Sequence, residues 1–294
     1  MDKIGLFATT EKGLAVLKKI LSVYGSEVLS FVVVASDKNT VYDAASEIRK
    51  LAKKKGIPLY SRLSAPKEKV NIVFAVSWRW LIPTGVASKI VVFHDSILPR
   101  YRGFAPLVSA LINGENRVGV TAMLAVDQYD EGPILGQQSV SVTYPVKIAE
   151  VIKTIIPCYE KLAVLSIKKI LSKNVVARNQ NQKDASYSLW RDDYDYEINW
   201  SWDAKKIRRF VDAVGFPYKG ALTFISRKKV RLLDCEETAD LTIENRVPGK
   251  VIFIQDNQPF VVCGSGLLKI TRLVDDGSGQ NMLPLKKFRT RFGK

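Results

Sequence analysis

The chain has a single histidine, His94, and its placement makes it the first candidate for chemistry. It closes the apolar, β-branched run IVVFH and precedes a loop that holds Pro99 and Gly103. In an open α/β sheet ligands bind beyond the carboxyl ends of the strands, so a histidine there is placed for proton transfer. A lone histidine is as readily a structural core residue, and the pattern by itself leaves both readings open. A general acid–base imidazole needs a carboxylate to orient it and balance its charge. Asp95, Asp127, Asp130 and Glu131 are the candidates in the same half of the chain. Asp130 stands in DQYDEGPIL, with Gly132 and Pro133 shaping a loop; its other reading is a solvated turn carboxylate. The cysteines, Cys158, Cys235 and Cys263, lie far apart without C-x-x-C spacing, which points to neither a disulfide framework nor a zinc site.

The elements that must position these residues alternate between strand and helix. Residues 3–8 and 28–35 read as short buried strands around a helical pattern over 12–23. A charged amphipathic helix over 44–55 ends at Gly56 and Pro58, and strands follow at 58–61, 70–77 and 90–94. This alternation predicts an α/β fold with a doubly wound, mostly parallel sheet. No G-x-G-x-x-G follows the first strand, so a dinucleotide site is not supported. Beyond Pro99 come a short helix at about 106–112, strands at 118–126 and 134–142, and a long helix over 146–172 that Pro157 should kink. Residues 173–189 are polar, rich in Asn and Gln, and read as a linker. From 190 the pattern changes: Asp203 caps a helix to about Val214, and short strands follow at 221–226, 229–234, 250–254, 260–263 and 267–274. That predicts a catalytic domain over 1–172 and a small β-barrel-like domain over 190–294. Limited proteolysis is expected to cut within 173–189.

Composition narrows the class. A chain of 294 residues with 47% hydrophobic and 25% charged residues is globular in type, not disordered. No apolar run approaches the roughly 20 residues that span a bilayer, and MDKIGLFATT reads as a first strand and not a signal peptide. A cytoplasmic enzyme is the expectation. The formal charge of +16 invites an anionic partner, or else describes a solvated basic surface spread over helices.

Two segments together are more specific. FHDSILPRYRGFAPLVSALINGENRVGVTAMLAVDQYDEGPILGQ resembles, almost without gaps, the core of the formyltransferases that use 10-formyltetrahydrofolate. Their pattern is H-x-S-L-L-P-x-Y-R-G-x-x-P, a helix, G-V-T, then D-x-G. NWSWDAKKIRRFVDAVGFPYKGALTF resembles the start of the C-terminal domain of methionyl-tRNA and nucleotide-sugar formyltransferases. The resemblance implies that His94 is the catalytic acid–base and that Asp130 favours its imidazolium form. It implies that Trp80, Leu81 and Ile82, with the loop Val126, Asp127, Gln128, Tyr129 and Asp130, hold the pterin of the formyl donor. One departure stands out. The family places an Asn two residues before the histidine to hold the formyl oxygen as charge builds on it, and here that residue is Val92. Losing one such donor typically costs about 10²–10³ in rate.

The acceptor is read from a second departure. Methionyl-tRNA formyltransferases carry a basic Gly/Pro-rich loop after the second strand, whereas this stretch holds Asp37, Asp43 and Glu47 and neither Gly nor Pro. A nucleotide-linked amino sugar is therefore expected in preference to tRNA, with no membrane span and room for a homodimer. Arg102 and Phe104 are the candidate substrate contacts; Phe104 stands where a sugar-nucleotide enzyme of the family has Arg. Arg102 also reads as a loop anchor, and Phe104 as a cover for the core. Val92 keeps a further reading alive, a basic nucleic-acid-binding protein on an inactive formyltransferase fold.

Overall fold

The computed structural model describes residues 3–36, 43–64, 66, 68–172 and 175–294. Contacts group the chain into two compact units, Met1–Leu107 with Arg117–Ser141 and Ile152–Leu189, and Val108–Asn116 with Val142–Val151 and Trp190–Lys294.

The first unit is built on strands β1 (Ile4–Ala8), β2 (Leu29–Val34), β3 (Leu59–Ser61), β4 (Val70–Val76) and β5 (Ala87–His94). After the two-residue β6 (Arg102–Gly103) come β7 (Arg117–Leu124), β8 (Ile134–Ser141) and the two-residue β9 (Tyr187–Ser188). Seven of these form one sheet in the order β3-β2-β1-β4-β5-β7-β8. The pairs from β3 to β5 are parallel and the β5–β7 and β7–β8 pairs antiparallel, so the expected mostly parallel, doubly wound sheet is observed. Strands buried on both faces need continuous apolar runs, and every residue of β1 is buried. Helix α1 (Thr10–Tyr24) buries Leu14, Val16, Leu17 and Ile20, and α2 (Ala45–Lys54) buries Ala45, Ile48 and Ala52. Both place apolar residues three and four apart on one face. Asp43 precedes α2 and its carboxylate accepts from the Ala45 N–H, while Asp37 falls outside the described residues. Helix α3 (Pro106–Asn113) follows β6, and α4 (Ile148–Leu171) runs as one helix through Pro157.

Strand order reverses between β1 and β4, with β2 and β3 on one side and β5 on the other. A crevice beyond the carboxyl ends of the strands belongs at such a switch point. His94 ends β5 one strand away.

The second unit places α5 (Ala204–Ala213) behind a five-stranded antiparallel sheet. Asp203 caps α5, its carboxylate accepting from the Lys206 N–H, as its position in the sequence implies. The strands are β10 (Ala221–Ile225), β11 (Lys228–Thr238), β12 (Val251–Gln255), β13 (Gln258–Val262) and β14 (Leu267–Asp275), in the order β10-β11-β14-β13-β12. The two edge strands are joined by the chain's end: Val251 N–H donates to the Thr290 carbonyl and Gly293 N–H to the Phe224 carbonyl. Phe292 lies buried between these bonds. The sheet is thus partly closed, as a barrel-like reading requires. β11 runs past the expected Asp234 because a register shift between Leu232 and Asp234 breaks the alternation on which the sequence reading depends.

The three cysteines are buried and unpaired. Burial pushes the Cys263 thiol up to about 12 and raises the thiols of Cys158 and Cys235 as well, so none is a ready nucleophile near neutrality. Among the described residues no helix is long and apolar enough to cross a membrane.

Candidate active site

His94 is 7% exposed and sits between two acceptors. Its Nε2 lies 2.8 Å from the Tyr101 carbonyl, which can only accept, so Nε2 carries a proton. Nδ1 lies 3.5 Å from Asp130 Oδ2, beyond hydrogen-bond length. In the neutral ring the lone pair is therefore on Nδ1, the nitrogen free to take up a proton beside a carboxylate. Each ring nitrogen thus faces an oxygen that accepts.

Of the four candidate carboxylates, the fold brings Asp130 to the His94 ring. Asp95 pairs with the buried Lys12 and accepts from the Tyr159 hydroxyl. Glu131 lies 3.1 Å from Arg102 Nη1, and Asp127 is exposed. Asp130 reaches the histidine by a fold-back. β7 runs antiparallel to β5, passes His94 at Thr121 and ends with Leu124 opposite Val91, already beyond the histidine. The loop then turns back, with Asp130 at φ 56 and its Oδ2 accepting from the Gly103 N–H at 2.8 Å. A non-glycine residue at positive φ costs free energy and persists where surrounding bonds hold it.

Those bonds come from residues 175–189, within the stretch read as a linker. Gln180 Nε2 donates to the carbonyls of Asp130 and Gly132 at 2.7 and 2.8 Å. Its Oε1 accepts from Arg102 Nε and Nη2 at 3.1 and 2.9 Å. Arg102 Nη1 adds Gln182 Oε1 at 2.7 Å. With 0% of its surface exposed, Arg102 anchors the loop and is not presented to a substrate. β6 and β9 pair beside it, and a Cβ on Gly103 would stand 2.5 Å from the Ser188 carbonyl, so the φ of 93 there is served only by glycine. Gly132 is tighter still, its Cβ direction meeting the Leu124 carbonyl at 1.6 Å. Gly132→Ala is expected to lower stability by about 2 kcal/mol and displace Asp130, read as a fall in both Tm and kcat.

The other expected residues separate into groups. Trp80, Leu81 and Ile82 follow β4, whose Val76 is level with Phe93, so they share the end of the sheet with His94. Leu81 is 92% exposed, while Ile82 packs against the Phe7–Phe31–Val73 cluster. Val126, Gln128 and Tyr129 are exposed on the loop that carries Asp130. The exposed Phe104 ring tilts toward Tyr129, with centroids 6.4 Å apart. Val92 lies two residues before His94 on the same face and packs on Leu98, Met123 and Ile134.

Sequence reasoning missed three residues at the switch point of strand order. There Thr10 Oγ1, Ser77 Oγ and Trp78 Nε1 are buried without a partner among the described residues. Thr10 and Ser77 both have positive φ, at 57 and 51. Buried polar atoms are normally satisfied, so these are suited to the acceptors and donors of a polar, flat ligand. The sequence signal was Thr9-Thr10 directly after the first strand.

Residues 30–156 match the formyl transferase family and residues 192–290 match the formyl transferase C-terminal domain, together well over half of the chain. The fold is similar to that of WlaRD, a sugar 3N-formyl transferase crystallised in the presence of dTDP and 5-N-formyl-THF. Identity is 18%, coverage 98% of this chain and 99% of that one, and the TM-score 0.69. HypX from Aquifex aeolicus in complex with tetrahydrofolic acid is similar at 16% identity and TM-score 0.64 over 93% of this chain, which spans 44% of HypX. Methionyl-tRNA formyltransferase from Clostridium thermocellum is similar at 19% identity and TM-score 0.56, over 80% of this chain and 93% of that one.

Proposed function

The chain belongs to the formyl transferase family, and from that premise we propose that it moves a formyl group from 10-formyltetrahydrofolate to the amine of a nucleotide-linked amino sugar. The observation that carries this reading is the His94 ring set between the Tyr101 carbonyl and Asp130 at the carboxyl end of β5. Trp80–Ile82 and the Val126–Asp130 loop would hold the donor, and the atoms of Ser77 and Trp78 that lack a partner among the described residues fit a polar heterocycle. The donor supplies a formyl group already bonded to nitrogen. His94 Nδ1 takes the proton that the attacking amine must lose. Asp130 steadies the imidazolium so formed, and the same nitrogen returns the proton to the departing nitrogen. The Gly103 N–H holds the carboxylate in place throughout.

An amino-sugar acceptor is supported by the near-complete mutual coverage with the sugar 3N-formyl transferase and by a stretch after β2 without a basic Gly/Pro loop. The net charge of +16 favours a second reading, methionyl-tRNA as acceptor. Donor binding is common to both. Calorimetry with 5-formyltetrahydrofolate should give saturable binding, and the absence of heat at millimolar donor would end the formyl-transfer reading.

Val92→Asn tests the missing donor. An amide there faces the same side as His94 and should raise kcat by about 10-fold or more, because one such donor contributes about 10²–10³ where it is needed. The amide would replace methyl groups that touch Leu98, Met123 and Ile134, so a stability loss of about 1–2 kcal/mol should accompany it. An unchanged kcat would mean that another group already holds the formyl oxygen.

A further inference from the structure

One aromatic side chain grips the residues on both sides of the histidine. The Tyr159 ring, on α4, is stacked on Phe93 with centroids 6.0 Å apart, and its hydroxyl donates to Asp95 Oδ1. Asp95 Oδ2 accepts from Lys12, in the first turn of α1, whose ammonium stands 5.7 Å from the centre of the same ring. The placement of Lys12 is unfavourable on two counts. It is 8% exposed, and its charge lies at the positive end of the α1 dipole. A buried lysine persists where a carboxylate is paired with it, so Asp95 is ionised and the two form one neutral unit.

We propose that Lys12 is a positioning residue for the His94 chemistry: it neutralises Asp95, held beside the histidine by Tyr159, and so sets the pH range in which His94 exchanges its proton. This rests on the proton-transfer role given to His94 and adds a control on when that role is available. Asp95 is the next residue along, its Cα about 3.8 Å from that of His94, so the two side chains lie within about a Debye length, ~10 Å at 0.1 M salt. At the effective dielectric of a protein, two unit charges so separated move each other's titration by about one pH unit. Without its cation, Asp95 would favour the imidazolium and leave less neutral imidazole to accept the proton of the amine. The other charged groups around the histidine have their own places. Asp130 faces Nδ1 from the loop between β7 and β8, and Glu131 of the same loop pairs with Arg102. Asp127 is exposed, and Arg100 stands over the Tyr101 ring at 5.2 Å.

The histidine's own resonance supplies the test. Because the sequence holds one histidine, histidine-selective isotope labelling of tag-free protein gives a ring signal that belongs to His94 alone. Its pH titration by nuclear magnetic resonance would be followed at low salt in wild type, Lys12→Met and the double variant Lys12→Met, Asp95→Asn. Near-ultraviolet circular dichroism would confirm the fold of each. Lys12→Met leaves the Asp95 carboxylate without its cation, and the titration midpoint should move up by about one pH unit. The double variant carries neither charge, and its midpoint should return close to that of wild type. A midpoint that stays in place or falls in Lys12→Met would overturn the proposal. So would a rise that persists in the double variant, since Asp95 would then not be its source. The titration reads this charge balance even in a protein that transfers no formyl group, whereas the donor calorimetry tests the formyl-transfer reading by itself, so the two failures are distinct.

Discussion

Replacing His94 with alanine is expected to lower kcat by about 10² or more and leave the affinity for 5-formyltetrahydrofolate nearly unchanged. A positioned acid–base contributes about 10²–10⁴, and no second imidazole is present in the sequence to take over. The ring's position explains the selectivity of the loss. One nitrogen is committed to the Tyr101 carbonyl and the other is turned to Asp130, so under the proposed function the side chain serves proton transfer and adds little to donor binding. Asp130→Asn should also lower kcat substantially. It keeps an oxygen that can accept from the Gly103 N–H but removes the charge that steadies the imidazolium. Single-turnover rates measured beside donor titrations check both variants. Near-normal turnover of His94→Ala would show that the histidine is structural.

Arg102→Met is the second large effect, and it is one of stability. The buried guanidinium holds Gln180, Gln182 and Glu131, and a thioether of similar length would leave those polar groups facing an apolar chain. Removing one partner of such a buried network typically costs about 3–5 kcal/mol. For a unit of this size that is a fall in Tm of roughly 6–20 °C. Because Gln180 also holds the carbonyls of Asp130 and Gly132, kcat should fall with it. An unchanged Tm with a raised KM for the acceptor would instead make Arg102 a substrate ligand.

The same residues show how far the sequence could be read. The sheet was legible because buried parallel strands need unbroken apolar runs, and VVVA, IVFAV and IVVFH are such runs. His94 was legible because its strand ended in a loop at the ligand-binding edge. The pairing with Asp130 was legible only through the family resemblance, since β7 ends level with Val91 and the loop must fold back to deliver the carboxylate. Gln180 gave no signal. It acts through one amide that bridges Arg102, 78 residues away in sequence, and the Asp130 loop, and a polar stretch without period does not reveal such a bridge. The two-residue pairing of β6 with β9 is likewise too short for alternation to show. Val92 was visible as a departure, and the structure adds that its face is that of His94.

The account's central claim is transfer of a formyl group to a sugar amine, and product mass measures it most directly. The purified protein would be incubated with 10-formyltetrahydrofolate and a panel of nucleotide-linked amino sugars, with methionyl-tRNA in a parallel reaction. The account predicts that at least one sugar nucleotide gains the mass of one formyl group in place of an amine hydrogen, with one equivalent of tetrahydrofolate released. His94→Ala should abolish that gain. Formylation of methionyl-tRNA with every amino sugar unchanged would contradict it.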